Sequence, residues 1–410
     1  MGNVESGFKW IEGGVSAARG WLAGAVASGI KPSGKPDLVL IYSASAAVAA
    51  GSFTTNRVQA ASVVFDRELL RKQQTAQAVV VNSGNANAAT GQAGEEAVAR
   101  TIAIFSRLLN VSERDILVAS TGVIGVPLPV ERIDKAAPAL IEALADTGSD
   151  AAAQAILTTD LVSKQCAVEA WLDGHLVRVG GIAKGSGMIH PQMATMLAFI
   201  TSDCAVEATL WRAMTQRAVD ASFNQITVDG DTSTNDLLLT LANGQAANAL
   251  VTDPTCPEAV LLEQMLTAVC VDLARKVVRD GEGATKLIEV RVSGTQTDGE
   301  ARTVARTVTG SSLVKSAMFG NDPNWGRLAA AAGRAGVDFD PARLAVRLGE
   351  FQLMEAGQPL VFDRGAASRY LKESDPVEVR IRLGEGPGEG CAWGCDLSYD
   401  YVKINAEYTT

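Results

Sequence analysis

The sequence predicts an α/β (α+β) protein, a layered sandwich of sheets covered by helices. Two observations lead there. Strand and helix signals alternate through most of the chain, and a length of 410 residues, 47% hydrophobic and 20% charged, is ample for a large core. Such a length suits two domains or one elaborate one. Sequence pattern alone does not choose the topology.

Asp37 to Ser45 is apolar and strand-like, and Ala78-Val79-Val80-Val81 reads as a short buried strand ending at Asn82-Ser83-Gly84. Glu95 to Leu109 places Val98, Ile102, Phe105 and Leu109 on one helical stripe. Ile116 to Ala119 is another strand, after which Ser120-Thr121-Gly122 is expected to turn. Ile133, Ala137, Leu140 and Leu144 mark a second amphipathic helix despite Pro138. Val168–Leu172 and Leu176–Val179 flank Asp173-Gly174, a strong hairpin signal. Val206 to Phe223 is helical. A longer helix, about Glu258 to Arg279, carries Leu262, Met265, Val269, Leu273 and Val277 on one face. A strand follows near Leu287 to Val292. The C-terminal quarter reads as mainly strand-like, with a turn-rich insert at Gly384 to Gly390.

The net charge of −10, from 36 basic and 46 acidic residues, argues against a nucleic-acid partner, though a pocket for small anions can still be locally positive. No run of about 18 apolar residues signals a membrane span. Met1 to Ser6 lacks the layout of a secretory leader and matches only the loose N-myristoylation pattern, with Gly2 and Ser6. The six cysteines are scattered, which suits reduced thiols and a cytoplasmic location. His175 and His190 are the only histidines, so a three-histidine metal site is impossible within one chain, and no metal is expected. Val228 to Asp236 resembles a calcium loop at first glance but lacks the ligand spacing and terminal glutamate.

The chemistry centres on Lys184 to Met196. Thr195 follows the small Ala194 at the edge of the apolar run Met196-Leu197-Ala198-Phe199-Ile200. If the bond before Thr195 is cut, one residue supplies both nucleophile and base, because its new α-amine lies beside its own hydroxyl. The cut can begin with attack of the Thr195 hydroxyl on the Ala194 carbonyl, with Gly185 and Gly187 allowing the dihedrals a strained loop needs. A free α-amine ordinarily titrates at roughly 7.7–8.0, which suits it to act as a general base. Ser120 to Gly125 can aim backbone N–H groups, or the Thr121 hydroxyl, at a developing oxyanion. Asn82 to Ala88 is read as a structural brace. Within Asp280 to Lys286, Glu282 stands between two glycines and can point into a cleft to bind an amine. Asp322 to Arg327 is read as the anchor of an alanine-rich helix.

Together these segments resemble the ornithine acetyltransferase family, also called glutamate N-acetyltransferases. The match runs in order from about Gly13 to the last residue. It includes Phe53 to Arg57, Asn82 to Ala88, Ser120 to Gly125, Thr158-Thr159-Asp160, Lys184 to Ser202, Asp229 to Asp236, Glu282 to Lys286, Asp322 to Arg327 and Asn405 to Thr410. The resemblance implies the self-cleaving fold shared with L-aminopeptidase D-Ala-esterases. It implies a cut between Ala194 and Thr195, giving an α chain of residues 1–194 and a β chain of residues 195–410, intertwined rather than separate, with a possible smaller C-terminal domain from about 285. Thr195 would be the nucleophile and Thr121 and Gly122 the oxyanion hole. Thr158, Lys184, Thr195, Glu282, Asn405 and Thr410 would bind substrate, Lys184 suiting an α-carboxylate and Glu282 an amine.

The implied reaction moves the acetyl group of N2-acetyl-L-ornithine to L-glutamate by double displacement, without metal or prosthetic group, in arginine biosynthesis. Acetyl-CoA is a possible further co-substrate, and an α2β2 assembly is implied. Two departures bear on substrate preference. The Thr-Thr-Asp run continues Leu161-Val162-Ser163-Lys164, where the family usually has threonine and then proline before lysine. The penultimate residue is Thr409 rather than the common arginine. The alternatives are an N-terminal-threonine amidohydrolase or aminopeptidase, and an acyltransferase with a different amine substrate.

Overall fold

The computed structural model describes residues 7–190 and 196–407. Within them the chain forms a mixed α/β architecture of two sheets and their covering helices. The larger, nine-stranded sheet runs in the order Lys9–Ile11, Lys164–Leu172, His175–Lys184, Leu197–Ser202, Leu237–Ala242, Leu38–Phe53, Thr75–Asn85, Ile116–Val123, with Trp21–Val26 also paired to Leu38–Phe53. Most neighbours are antiparallel, but Leu197–Ser202 runs parallel to Leu237–Ala242, and Thr75–Asn85 parallel to Ile116–Val123. The second sheet has seven strands, with Ala345–Leu348, Val377–Arg382 and Leu287–Gly294 at its centre.

The apolar run after Thr195 becomes a strand buried along its whole length. Successive side chains leave on opposite faces. Ala198 and Ile200 pack with Leu262, Met265, Val269 and Leu273 of the long helix Pro257–Arg279, while Leu197 and Phe199 pack with Leu239, Leu241 and Ala152 on the other face. Fully burying each large apolar side chain is worth about 1.5–3 kcal/mol. Both faces therefore fix the register of this strand. The hairpin forms as its turn residues dictate. Asp173 (φ 47°) and Gly174 (φ 75°) are both left-handed, joining Lys164–Leu172 to His175–Lys184. The helices Gly91–Leu109 and Val130–Glu142 cover the edge formed by Thr75–Asn85 and Ile116–Val123, and the second persists through Pro138.

Three expectations need correction. Ser120-Thr121-Gly122 does not turn. It continues the strand Ile116–Val123, paired with Asn82–Asn85, which likewise extends the strand beyond Val81. The polar residues suit this end of the sheet because they bond to one another. Ser120 Oγ donates to Asn82 Oδ1 at 2.7 Å, and Asn82 Nδ2 donates to the Asn85 carbonyl at 2.8 Å. Second, the C-terminal quarter is not mainly strand. Helices at Ser312–Phe319, Trp325–Gly333, Arg364–Glu373 and Tyr399–Glu407 lie within it, three of them capped by Ser311, Asn324 and Asp363. Third, the glycine-rich stretch at 384–390 is less an insert than the start of the strand Gly386–Cys395. A Cβ at Gly386, Gly388 or Gly390 would collide with backbone between Thr295 and Arg302, so these glycines admit a close neighbour rather than a turn.

Candidate functional site

Lys184 ends the strand His175–Lys184 and pairs across it with Leu197, two residues beyond Thr195 in sequence. The residue is 3% exposed, and its ammonium donates to Thr158 Oγ1 at 2.8 Å and to Thr121 Oγ1 at 3.5 Å. Three of the residues picked out from the sequence thus meet at one point, brought there by two strands and the 156–163 loop. Burial pulls the Lys184 ammonium below the usual lysine range. Asp160, Asp236 and Glu282 act in the opposite direction, and Lys164 adds to the lowering.

Gly122 stands beside Thr121 on the outer strand of the sheet, opposite Gly84. Its φ is +133°, and a Cβ there would fall within 2.3–2.7 Å of the Gly84 and Asn85 backbone. Only glycine fits this close approach. The strand is held from outside as well. Asp66, on the helix Ala61–Lys72, accepts from the Val118 N–H at 3.0 Å, and Asn235 Nδ2 donates to the Ala86 and Ser120 carbonyls.

Glu282 lies in the turn after the helix Pro257–Arg279. Asn405, on the helix Tyr399–Glu407, donates to Glu282 Oε2 at 2.9 Å. A Cβ at Gly187 would sit 2.5–2.6 Å from the Glu282 carboxylate, so this glycine provides room, while Gly185 (φ +156°) provides the unusual dihedral. Ala194, Thr195 and Thr410 lie outside the described residues.

Sequence reasoning missed what ties these parts together. Lys164 is fully buried and bonds Asp160 Oδ1 and Asp280 Oδ2, each at 2.7 Å. Asp160 also accepts the Gly185 N–H at 2.6 Å and faces Lys184 at 3.8 Å. Burial works against the Asp160 charge, but Lys184, Lys164 and the Gly185 N–H overcome it and hold the carboxyl at about 2. Asp280 accepts the N–H groups of Leu161 and Val162, residues that are 83% and 56% exposed. The unusual residues of that run therefore face outward, and the charged residues that bracket them face in. Lys31 is a further missed cation. It is half-buried and close enough to feel Lys184 and Asp160, and burial brings its pKa down to about 8.

Asp229, part of the rejected calcium motif, spends its carboxylate on the Met188, Ile189 and Asp231 N–H groups. Asn85 and Asn87 brace loops, as expected, through the Val126 and Gly94 carbonyls. Asn324 caps the alanine-rich helix by accepting from Arg327 N. The six cysteines are unpaired. Among the described residues, no group of three or more His, Cys, Asp or Glu is placed to hold a metal ion, and no helix is long and apolar enough to cross a membrane.

Comparison with known proteins follows the same lines. The arginine biosynthesis bifunctional protein ArgJ of Gloeobacter violaceus is 70% identical over 403 residues, covering 98% of this chain and 99% of that one. The chloroplastic ArgJ of Ricinus communis is 51% identical, covering 99% and 88%. The crystal structure of ArgJ from Bacillus halodurans matches with a TM-score of 0.50 and 43% identity, covering 51% of this chain and 98% of that one. The pattern that defines the ArgJ family matches residues 22–410. On its sequence, and with the residues picked out from it gathered around Lys184, the chain belongs to the ArgJ family.

Proposed function

We propose that this ArgJ-family enzyme of arginine biosynthesis transfers the acetyl group of N2-acetyl-L-ornithine to L-glutamate through an acetyl ester on Thr195. The observation that carries this reading is the meeting of Thr121, Thr158 and Lys184 where the strand paired with Lys184 begins just after Thr195.

The enzyme first cuts itself into residues 1–194 and 195–410. The Thr195 hydroxyl attacks the Ala194 carbonyl, the C–N bond breaks, and water hydrolyses the ester to free the hydroxyl and leave the Ala194 carboxylate. The Bacillus halodurans chain, half as long as this one, is in keeping with such a division. In transfer, Thr195 Oγ attacks the acetyl carbonyl and its own α-amine takes the proton. The Gly122 N–H and the Thr121 hydroxyl stabilise the oxyanion. The acetyl–nitrogen bond breaks, the proton passes to the departing amine, and ornithine leaves. The glutamate amine then attacks the ester and regenerates the hydroxyl.

Lys184 pairs with the substrate α-carboxylate, with Thr158 as its hydroxyl neighbour. Glu282, steadied by Asn405, receives the ornithine side-chain ammonium, and Thr410 completes the rim. The word bifunctional in the relatives' names supports acetyl-CoA as a second donor to glutamate. An α2β2 assembly in the cytoplasm completes the proposal.

Purified protein given N-acetylornithine and glutamate is expected to form ornithine and N-acetylglutamate in equal amounts. Intact-mass measurement is expected to find an acetyl adduct on residues 195–410. Release of acetate at a rate indifferent to glutamate would overturn the reading in favour of a hydrolase.

A further inference from the structure

Among the buried carboxyls that the mechanism above does not use, Asp236 lies beside the chain leaving Thr195. Asp236 is 0% exposed and immediately precedes the strand Leu237–Ala242. That strand runs parallel to Leu197–Ser202 with Leu237 beside Leu197, which sets Asp236 beside Met196. Asp236 Oδ1 accepts the Met196 N–H at 2.9 Å, and the Met196 carbonyl accepts the Leu237 N–H at 3.1 Å. Met196 is thus held on both sides. Its N–H belongs to the peptide bond that joins Thr195 to the strand. Asp236 Oδ2 is buried as well, and the Ser233 N–H, the Thr54 hydroxyl and Lys184 also act on this carboxyl. The neighbouring Asn235 braces the strand of Thr121 through the Ser120 carbonyl. One short segment therefore touches both the chain leaving the nucleophile and the strand of the oxyanion hole.

We propose that Asp236 is a positioning residue for Thr195, fixing through the Met196 N–H the backbone that presents the threonine hydroxyl to the Ala194 carbonyl in self-cleavage and to the acetyl donor afterwards. The proposal rests on Thr195 being the nucleophile. What it adds is that the acceptor at position 236, rather than a charge, is the required feature. Asp236→Asn keeps a side-chain oxygen able to accept the Met196 N–H while removing the ionisable group, so it separates the two features.

The test compares Asp236→Asn with two variants that lack an acceptor, Asp236→Ala and Asp236→Val, each checked for cooperative thermal unfolding. Cleavage is followed by intact mass, and transfer kinetics are measured on the cut fraction. In the acceptor-free variants the expected result is a precursor still uncut when wild type is fully cut, or a kcat reduced by about 100-fold with KM within about threefold. Asp236→Asn is expected to stay within about tenfold of wild type. A folded acceptor-free variant that cuts and transfers like wild type overturns the proposal, as does a folded Asp236→Asn as inactive as alanine. If neither acceptor-free variant folds, Asp236→Asn decides alone by the same limits. Thr195→Ala, run in parallel, separates the two claims. Activity in that variant removes the nucleophile assignment itself. Its inactivity beside an unaffected Asp236→Val removes only the role of Asp236.

Discussion

The two ends of the site hold charge in opposite ways. At one end, Lys184, Asp160, Lys164 and Asp280 have side chains between 0% and 6% exposed and bond to one another across three separate segments. At the other, Glu282 is only partly buried and takes one hydrogen bond from Asn405 on an exposed helix. Taking an ion out of water is costly unless partners surround it, so the first end has to be assembled with the fold. The second can be completed by substrate. Substitutions of Asp160, Lys164 and Asp280 should therefore read out as stability, and those of Glu282 and Asn405 as binding.

Lys164→Met gives this comparison its hardest test. The substitution leaves Asp160 and Asp280 buried with their shared cation gone. Removing one partner of a buried ion pair costs about 3–5 kcal/mol. Urea unfolding of the purified variant should show a loss of that size, and adding Asp280→Asn should recover part of it. A loss below about 1 kcal/mol would mean that Lys164 is not what holds the two acids together.

The contrast also explains how much could be read before the structure. The long helix Pro257–Arg279, the hairpin at Asp173-Gly174 and the buried strand after Thr195 announce themselves through spacing of apolar and turn residues, a local signal. Lys184, Thr121 and Glu282 stand in recognisable segments. The contact of Lys164 with Asp280 spans 116 residues and leaves no periodic trace, so it was invisible. Ser120-Thr121-Gly122 misled for a related reason. Its composition is that of a turn, but cross-strand pairing with Asn82–Asn85, a tertiary effect, decides its conformation. The helices Ser312–Phe319, Trp325–Gly333 and Arg364–Glu373 depend on caps and on a few side chains packed with the second sheet more than on a long amphipathic stripe.

Acid sharpens the comparison at the buried end. Asp160 is held at about 2, below its ordinary value of 3.8. A carboxyl whose folded pKa is depressed stabilises the fold above its unfolded pKa, and the contribution is lost as pH falls through the folded value. Unfolding free energy should therefore decline between about pH 4 and pH 2 by on the order of 2 kcal/mol from this group. Asp160→Asn should flatten that part of the curve while lowering stability at pH 7. An unchanged acid slope in the variant would place the depressed titration elsewhere.

The smallest effect on the fold is expected at Asn405. Its amide lies on an exposed helix and bonds Glu282 and the Tyr401 carbonyl of its own helix, so nothing buried is left unpaired when it goes. Asn405→Ala should change stability by less than about 0.5 kcal/mol. Its consequence belongs to substrate. Without the amide, Glu282 loses the donor that orients it, and a single hydrogen bond of about 0.5–1.5 kcal/mol corresponds to a KM for N-acetylornithine raised roughly threefold to tenfold. Thr121, Gly122 and Lys184 are untouched, so kcat should hold within about twofold. Should melting temperature fall by several degrees while KM stays fixed, the open end of the site would be structural like the buried one, and the division drawn between them would be wrong.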